Sequence, residues 1–332
     1  MEIGVVGATG LVGEAVVHEI INHIGQPYHL HLFSSKTTEA TYTQQKVLVQ
    51  EHPISTLTEI PLNYILFTTP PDVSRYWIQK LKSKKSVFCI DGSSAFRLEK
   101  DVPLVIPEIN AQAINSTISL VSSPNCTTTL ALMPLFPLHQ RYDLESFSLC
   151  SYQAASGMGR QGIEELEHQC KVWNCNHSVP NPVVFPKKLL FNVIPQVGNF
   201  DEDGNTEEET KLQYESRKIL NLPTLKVFST CVRVPTLTCH SLAITVTFKQ
   251  TITLDGIRDI LSHAPGIKVY TKNYPDVYCA TTNSLCHVGR LRLDTTHSNT
   301  LSLWVVGNQI LKGSATNMRQ ILEMKLQKLN QQ

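Results

Sequence analysis

The chain lacks an excess of either charge. Its 332 residues carry a net charge of +1 at pH 7 with 17% charged side chains, so electrostatics favour neither a nucleic acid nor an anionic membrane as partner. Long hydrophobic runs are missing too, and no stretch reaches the roughly 20 apolar residues that a membrane span requires. The nine cysteines are an odd number and none is spaced CxxC. That argues against a disulfide framework and against a zinc ribbon; reduced thiols in a cytoplasm are the simplest reading. Cys170, Cys175 and His177 have no fourth ligand at a sensible spacing, so no metal is expected. Internal repeats and low-complexity tracts are absent. Residues 1–6 run directly into an apolar stretch, which predicts neither a signal nor a transit peptide.

The length is too great for one small core and fits two domains. Up to about residue 124, short apolar runs alternate with amphipathic stretches: Ile3–Val6, Leu30–Phe33, Tyr64–Phe67, Val87–Ile90 and Ile118–Val121. This pattern predicts an α/β domain built on a parallel sheet. From about 145 the runs are longer and β-rich (Glu145–Gln153, Leu225–Val234, Leu242–Thr251, Val288–Leu293, Thr300–Val306), with helices near 160–173 and 206–220. That predicts an α+β domain with a mixed, mostly antiparallel sheet.

Three local patterns carry chemistry. The first apolar run is followed by Gly7-Ala8-Thr9-Gly10-Leu11-Val12-Gly13 and then by helical spacing over Glu14–Ile24. Strand, glycine turn and helix form the phosphate cradle of a Rossmann-type dinucleotide-binding unit: the glycines let the backbone approach a pyrophosphate seated on the helix N-terminus. The spacing is GxxGxxG rather than GxGxxG, so the context carries the inference; a bare βα turn is the plain alternative. Second, Cys126 lies between the strand-like run Ile118–Val121 and the buried-helix run Leu130–Leu135. A helix start would turn N–H groups and a positive dipole end towards its sulfur, lowering a thiol pKa from about 8.5 towards neutrality. A buried cysteine at a turn is the bland reading. Third, Arg233 and His240 flank a turn before another strand-like run. Histidine suits a proton shuttle near neutral pH, and arginine offers a planar fork to a carboxylate.

Nine segments occur in series: GATGLVG (Gly7–Gly13), DGSSAFR (Asp91–Arg97), VIPEIN (Val105–Asn110), SPNCTT around Cys126, YQAASGMGRQGIEEL (Tyr152–Leu166), FNVIPQVG (Phe191–Gly198), TEEETK (Thr206–Lys211), CVRVPTLTCHS (Cys231–Ser241) and LWVVGNQILKG (Leu303–Gly313). In these the chain resembles bacterial aspartate-β-semialdehyde dehydrogenase over essentially its whole length. The resemblance implies an NADP-binding domain of residues 1–124 plus a returning segment, 308–332, and a catalytic and dimerisation domain of residues 125–307. It implies reduction of L-4-aspartyl phosphate to L-aspartate 4-semialdehyde and phosphate, on the route to diaminopimelate, lysine, methionine and threonine, by a cytoplasmic homodimer or homotetramer.

Roles follow position by position from the same resemblance. Cys126 would be the nucleophile, His240 the acid/base and Gln153 the amide beside the cysteine. Arg233 would take the substrate α-carboxylate and Glu208 its α-ammonium. Arg97, Asn125 and Lys211 would hold the phosphate, with Glu208 and Lys211 facing one cleft from one helix. Gly7, Thr9, Gly10, Leu11, Val12 and Gly13 would wrap the pyrophosphate, and Ser156, Gly157 and Gln309 would border the nicotinamide. The adenosine end departs from the pattern. Thr37 stands where an arginine is expected, between Lys36 and Thr38, and the second strand tip carries no acidic residue. NADP is the expected cofactor, with NAD the alternative. Ser241-Leu242-Ala243 also departs, since a glutamate often follows the His-Ser pair there. Rival readings are an N-acetyl-γ-glutamyl-phosphate reductase, which Asn125 before the cysteine argues against, and a non-catalytic NADP-binding scaffold, which would have no need of Cys126, Gln153, Arg233 and His240 together.

Overall fold

The computed structural model describes residues 1–35, 40–44, 47–81 and 87–329 and divides into two compact units, Met1–Pro124 with Ser314–Gln332 and Asn125–Gly313. Lys36, Thr37 and Thr38 lie outside the described residues.

The first unit is a seven-stranded sheet: β1 (Glu2–Val6), β2 (His29–Ser34), β3 (Ala40–Gln44), β4 (Val47–Pro53), β5 (Tyr64–Phe67), β6 (Phe88–Asp91) and β7 (Leu120–Ser122), in the order β3-β4-β2-β1-β5-β6-β7. All neighbours are parallel except β3, which runs antiparallel along the edge of β4. β1 lies between β2 and β5, in register Val5↔Leu32 and Val5↔Leu66. Its residues Val5 and Val6 are fully buried, because helices cover both faces. On one face α1 (Leu11–His23) and α9 (Thr316–Leu329) pack Val16, Ile20, Met318, Ile321 and Leu322 against Ile3, Val5, Leu30 and Leu66. Each such side chain contributes about 1.5–3 kcal/mol. On the other, α2 (Pro71–Leu81) brings Ile78 and Leu81 to Val6, Phe33, Ile65 and Phe67. A short helix, α3 (Pro107–Asn110), precedes β7.

The five expected apolar runs are all strands here. β3 and β4 are additional; their sequences, ATYTQ and VLVQEHP, are polar enough to hide among loops, and pairing of β4 with β2 and of β3 with β4 makes them strands. The unit boundary falls between Gly313 and Ser314 rather than at 307/308. Residues 311–315 form a π-turn before α9 begins at Thr316, so the returning helix is shorter than its sequence pattern suggests.

The second unit holds α4 (Cys126–Tyr142), β8 (Leu144–Gln153), α5 (Gly159–Asn176), α6 (Glu207–Leu220), β9 (Lys226–Arg233), β10 (His240–Phe248), α7 (Leu254–His263), β11 (Ile267–Val269), α8 (Val277–Ala280), β12 (Cys286–Leu293) and β13 (Thr300–Gly307). The sheet order is β11-β12-β13-β10-β8-β9. β8–β9 and β11–β12 pair parallel and the other neighbours antiparallel, which is the mixed, mostly antiparallel sheet expected. Helix α4 packs so closely on β13 that a Cβ on Gly307 would lie 2.3 Å from Leu130 Cδ2. The opposite face carries Ser148, Thr245 and Ser302 in one cross-strand row and Cys150, Ala243 and Trp304 in the next. Phe228, on the same face, is 76% exposed. No helix among the described residues is long and apolar enough to cross a membrane.

Candidate active site

Helix α4 begins at Cys126, four residues before the apolar run that announces it in sequence. Thr127, Thr128 and Thr129 are poor helix formers, but all three are fully buried, and Asn125 supplies the cap. Its side-chain oxygen accepts the N–H groups of Thr127 (2.8 Å) and Thr128 (3.2 Å), the interaction that favours asparagine at this position. Cys126 is thus the first helical residue, half-buried at the positive end of the dipole. A Cβ on Gly313 would lie 2.7 Å from the Cys126 Cβ, so only glycine allows the backbone to pass there.

Sheet register brings the other groups together. Gln153 and Arg233 are partners at the last rung of the parallel pair β8–β9, and His240 opens β10, the other neighbour of β8. Gln153, 2% exposed, donates to Thr127 Oγ1 (2.9 Å) and Glu208 Oε1 (3.0 Å). Glu208 also accepts from Thr127 Oγ1 (3.1 Å) and from the Asn125 amide (3.0 Å). Asn125, Thr127, Gln153 and Glu208 therefore form one buried network beneath the cysteine.

Arg233 is buried, with Nη1 on the Ala154 carbonyl oxygen at 2.7 Å. Burial pulls its pKa below the ordinary arginine value, and the charges of Glu208 and Cys126 oppose that pull; the guanidinium and the thiol thus lie within electrostatic reach. Gly157 makes room for it, because a Cβ there would sit 2.3 Å from Nη1.

His240 is fully buried, and burial together with the Arg233 charge pushes its pKa down to about 3. The ring is neutral at physiological pH. Nδ1 faces the Ala154 N–H at 3.2 Å and must accept, which assigns the ring proton to Nε2. Nε2 has no hydrogen-bond partner among the described residues. A buried donor left open in this way needs an acceptor, and an incoming substrate oxygen would supply one. The ring is aimed by Cys239, a non-glycine residue at φ +68° whose N–H is held by Gln309 Oε1 at 2.9 Å.

Several expected partnerships differ. Lys211 is one-third exposed and pairs with Glu207 at 3.6 Å, whereas Glu208 is 6% exposed and turned into the network. The Asn125 amide is directed to Glu208 and serves as part of a cap. Ser156 and Gln309 are both buried and bond to each other. Arg97, in the first unit, is held by the carbonyls of Ser123 (3.0 Å) and Gly92 (2.8 Å). Sequence reasoning missed Glu215, which accepts the Asn125 backbone N–H at 2.7 Å. Its spacing of seven from Glu208 on a helix was the available signal.

The glycine turn Gly7–Gly13 belongs to the first unit. Gly7 has φ +85°, and a Cβ on Gly13 would lie 2.1 Å from the Gly7 carbonyl oxygen. Thr9 and Gly10 are exposed, and no side chain among the described residues caps α1. The open N–H groups and the glycine-tight turn fit a pyrophosphate. Beside the tip of β2, a pocket of about 310 Å³ is lined by Ala8, Thr9, Val17, Leu32, Ser34 and Glu51. Its lining also includes the acidic residue Glu14 of α1, so Glu14 and Glu51 of β4 both border this pocket.

Family models for the semialdehyde dehydrogenase NAD-binding domain and dimerisation domain match residues 2–117 and 135–312. The chain is 34% identical over 335 residues to the aspartate-semialdehyde dehydrogenase of Aquifex aeolicus, covering 97% of each chain, and 38% identical to that of Streptomyces akiyoshiensis, covering 98% of each. It superposes with a TM-score of 0.91 on the crystal structure of aspartate semialdehyde dehydrogenase II from Vibrio cholerae complexed with ASA, at 31% identity and 98% coverage of both chains.

Proposed function

The chain belongs to the aspartate-semialdehyde dehydrogenase family, and from that premise we propose that it reduces L-4-aspartyl phosphate to L-aspartate 4-semialdehyde through a thioester on Cys126. The observation that carries this reading is the placement of Cys126 at the capped start of α4, above a network that joins Gln153 and Glu208 and within electrostatic reach of Arg233.

The Cys126 thiolate attacks the acyl carbon, a C–S bond forms, and phosphate leaves with the electrons of the C–O bond. Bound nicotinamide supplies the hydride that reduces the acyl group. His240, neutral and protonated at Nε2, donates to the substrate oxygen as charge develops there. With Nδ1 facing the Ala154 N–H, Nε2–H is the donor that supplies the acid half of its acid/base role. When the C–S bond breaks, the thiolate returns to the helix start that favours it. Arg233 holds the α-carboxylate with the part of its fork that Ala154 leaves over. Glu208 receives the α-ammonium, its present neutral donors marking where cationic N–H groups would bind. Phosphate contacts are assigned to Arg97 and Lys211.

NADP is the cofactor, with NAD as the alternative that Thr37 and Glu51 keep in view. Residues 1–124 with the C-terminal helix bind the nucleotide; the second unit carries catalysis and the dimer contact, for which the open sheet face around Phe228 is the surface offered. Nine cysteines with no disulfide among them suit a cytoplasmic enzyme. The test is phosphate-dependent reduction of NADP+ by L-aspartate semialdehyde, run beside NAD+ and beside Cys126→Ala. Activity that needs phosphate and disappears in the variant is expected. Absence of activity with both cofactors would remove the substrate assignment.

A further inference from the structure

Glu215 is a carboxylate 1% exposed that the reaction scheme does not use. It lies two helical turns after Glu208 on α6, so both carboxylates project from one face of that helix. They converge on a single residue. Glu208 accepts the Asn125 side-chain amide at 3.0 Å and Glu215 Oε2 accepts the Asn125 backbone N–H at 2.7 Å. Asn125 spends its side-chain oxygen on Thr127 and Thr128, and its carbonyl oxygen accepts the Thr129 N–H at 2.9 Å. The residue immediately before Cys126 is therefore held at every polar group. A hydrogen bond to a charged acceptor is roughly twice as strong as a neutral one, and this one acts where a shift of the helix start would redirect the sulfur.

We propose that Glu215 is a positioning residue of this active site: its carboxylate fixes the Asn125 backbone and so the direction in which Cys126 leaves α4. The proposal rests on the reading of Cys126 as nucleophile.

The test uses the full chain with Glu215→Met, which keeps volume and removes the acceptor, and Glu215→Gln, whose amide oxygen can still accept. Four quantities are measured: kcat and KM in the phosphate-dependent direction, the rate of Cys126 alkylation by iodoacetamide, and the melting temperature. Glu215→Met is expected to lower kcat at least about tenfold with KM within about twofold of wild type, as small displacements of a reacting group do, and to change the alkylation rate of Cys126. Glu215→Gln is expected to recover kcat to within about threefold of wild type. A folded Glu215→Met with a lowered melting temperature but wild-type kcat and alkylation would overturn the proposal. If the Met variant does not fold, Glu215→Asp decides: it keeps the charge but draws the carboxylate back by one methylene. It is expected to lose at least about fivefold in kcat, and wild-type kcat there overturns the proposal equally. Cys126→Ala run alongside separates the two readings. If it is active, the nucleophile assignment is lost; if it is inactive while Glu215→Met behaves as wild type, only the role of Glu215 is lost.

Discussion

Helices α1 and α4 each start just beyond the end of a parallel strand, and their N-termini are finished in opposite ways. At α1 the cap residue is Gly10, the turn is exposed, and no side chain among the described residues takes the first N–H groups. At α4 the cap is Asn125, which is buried, takes two N–H groups and is itself held by two glutamates of α6. Both ends carry the same positive dipole. The open one suits an anion that arrives and departs, and the filled one suits a side chain that must stay aimed through each turnover.

Substitutions can break this contrast from either side. The largest effect is expected from Gly13→Ala, whose Cβ would meet backbone atoms of Gly7 and Ala8 at 2.1–2.8 Å. Relieving that clash moves α1 off β1, so nucleotide affinity should fall at least about tenfold and stability by about 1–3 kcal/mol; calorimetric titration and chemical denaturation read the two. On the closed side, Asn125→Ala leaves the N–H groups of Thr127 and Thr128 without their acceptor and should cost about 1 kcal/mol of stability, measurable by denaturation with the cofactor absent. An unchanged midpoint there would mean that the cap does not hold α4.

The closed region should also be the acid-sensitive one. The pKa of His240 falls from 6.5 to about 3 in the folded protein, so between those values the unfolded chain binds the extra proton and stability rises with pH. The contribution is complete above about pH 6.5 and is lost as pH falls towards 3. Between pH 7.5 and 5.5 the wild type should lose about 1 kcal/mol more than His240→Asn. Equal losses in denaturation at the two pH values would show that the ring is not held neutral.

Local order made much of this legible in the sequence. Strand, glycine turn and helix are adjacent in the chain, so the tight turn between β1 and α1 was readable from Gly7, Gly10 and Gly13. Cys126 was placed at a helix start for the same reason, although the Thr127–Thr129 run hid where the helix begins. Partnerships made by folding were not readable. The bond between Ser156 and Gln309, the seat of Gly157 against Arg233, and the turn of Lys211 towards Glu207 rather than the Glu208 network all depend on side-chain direction after the sheet has assembled. Glu215 was overlooked because a glutamate on a charged helix face looks like any solvated residue until its burial is known.

If the start of α4 activates the residue that opens it, Cys126 is the reactive thiol of this chain. Limited alkylation with iodoacetamide at neutral pH, followed by peptide mass spectrometry over all nine cysteines, tests it directly. Cys126 is expected to be modified first, at one equivalent per chain, ahead of the exposed Cys170 and Cys175, and L-aspartate semialdehyde is expected to protect it. Modification of Cys170 and Cys175 at the same rate as Cys126, or faster, would contradict it.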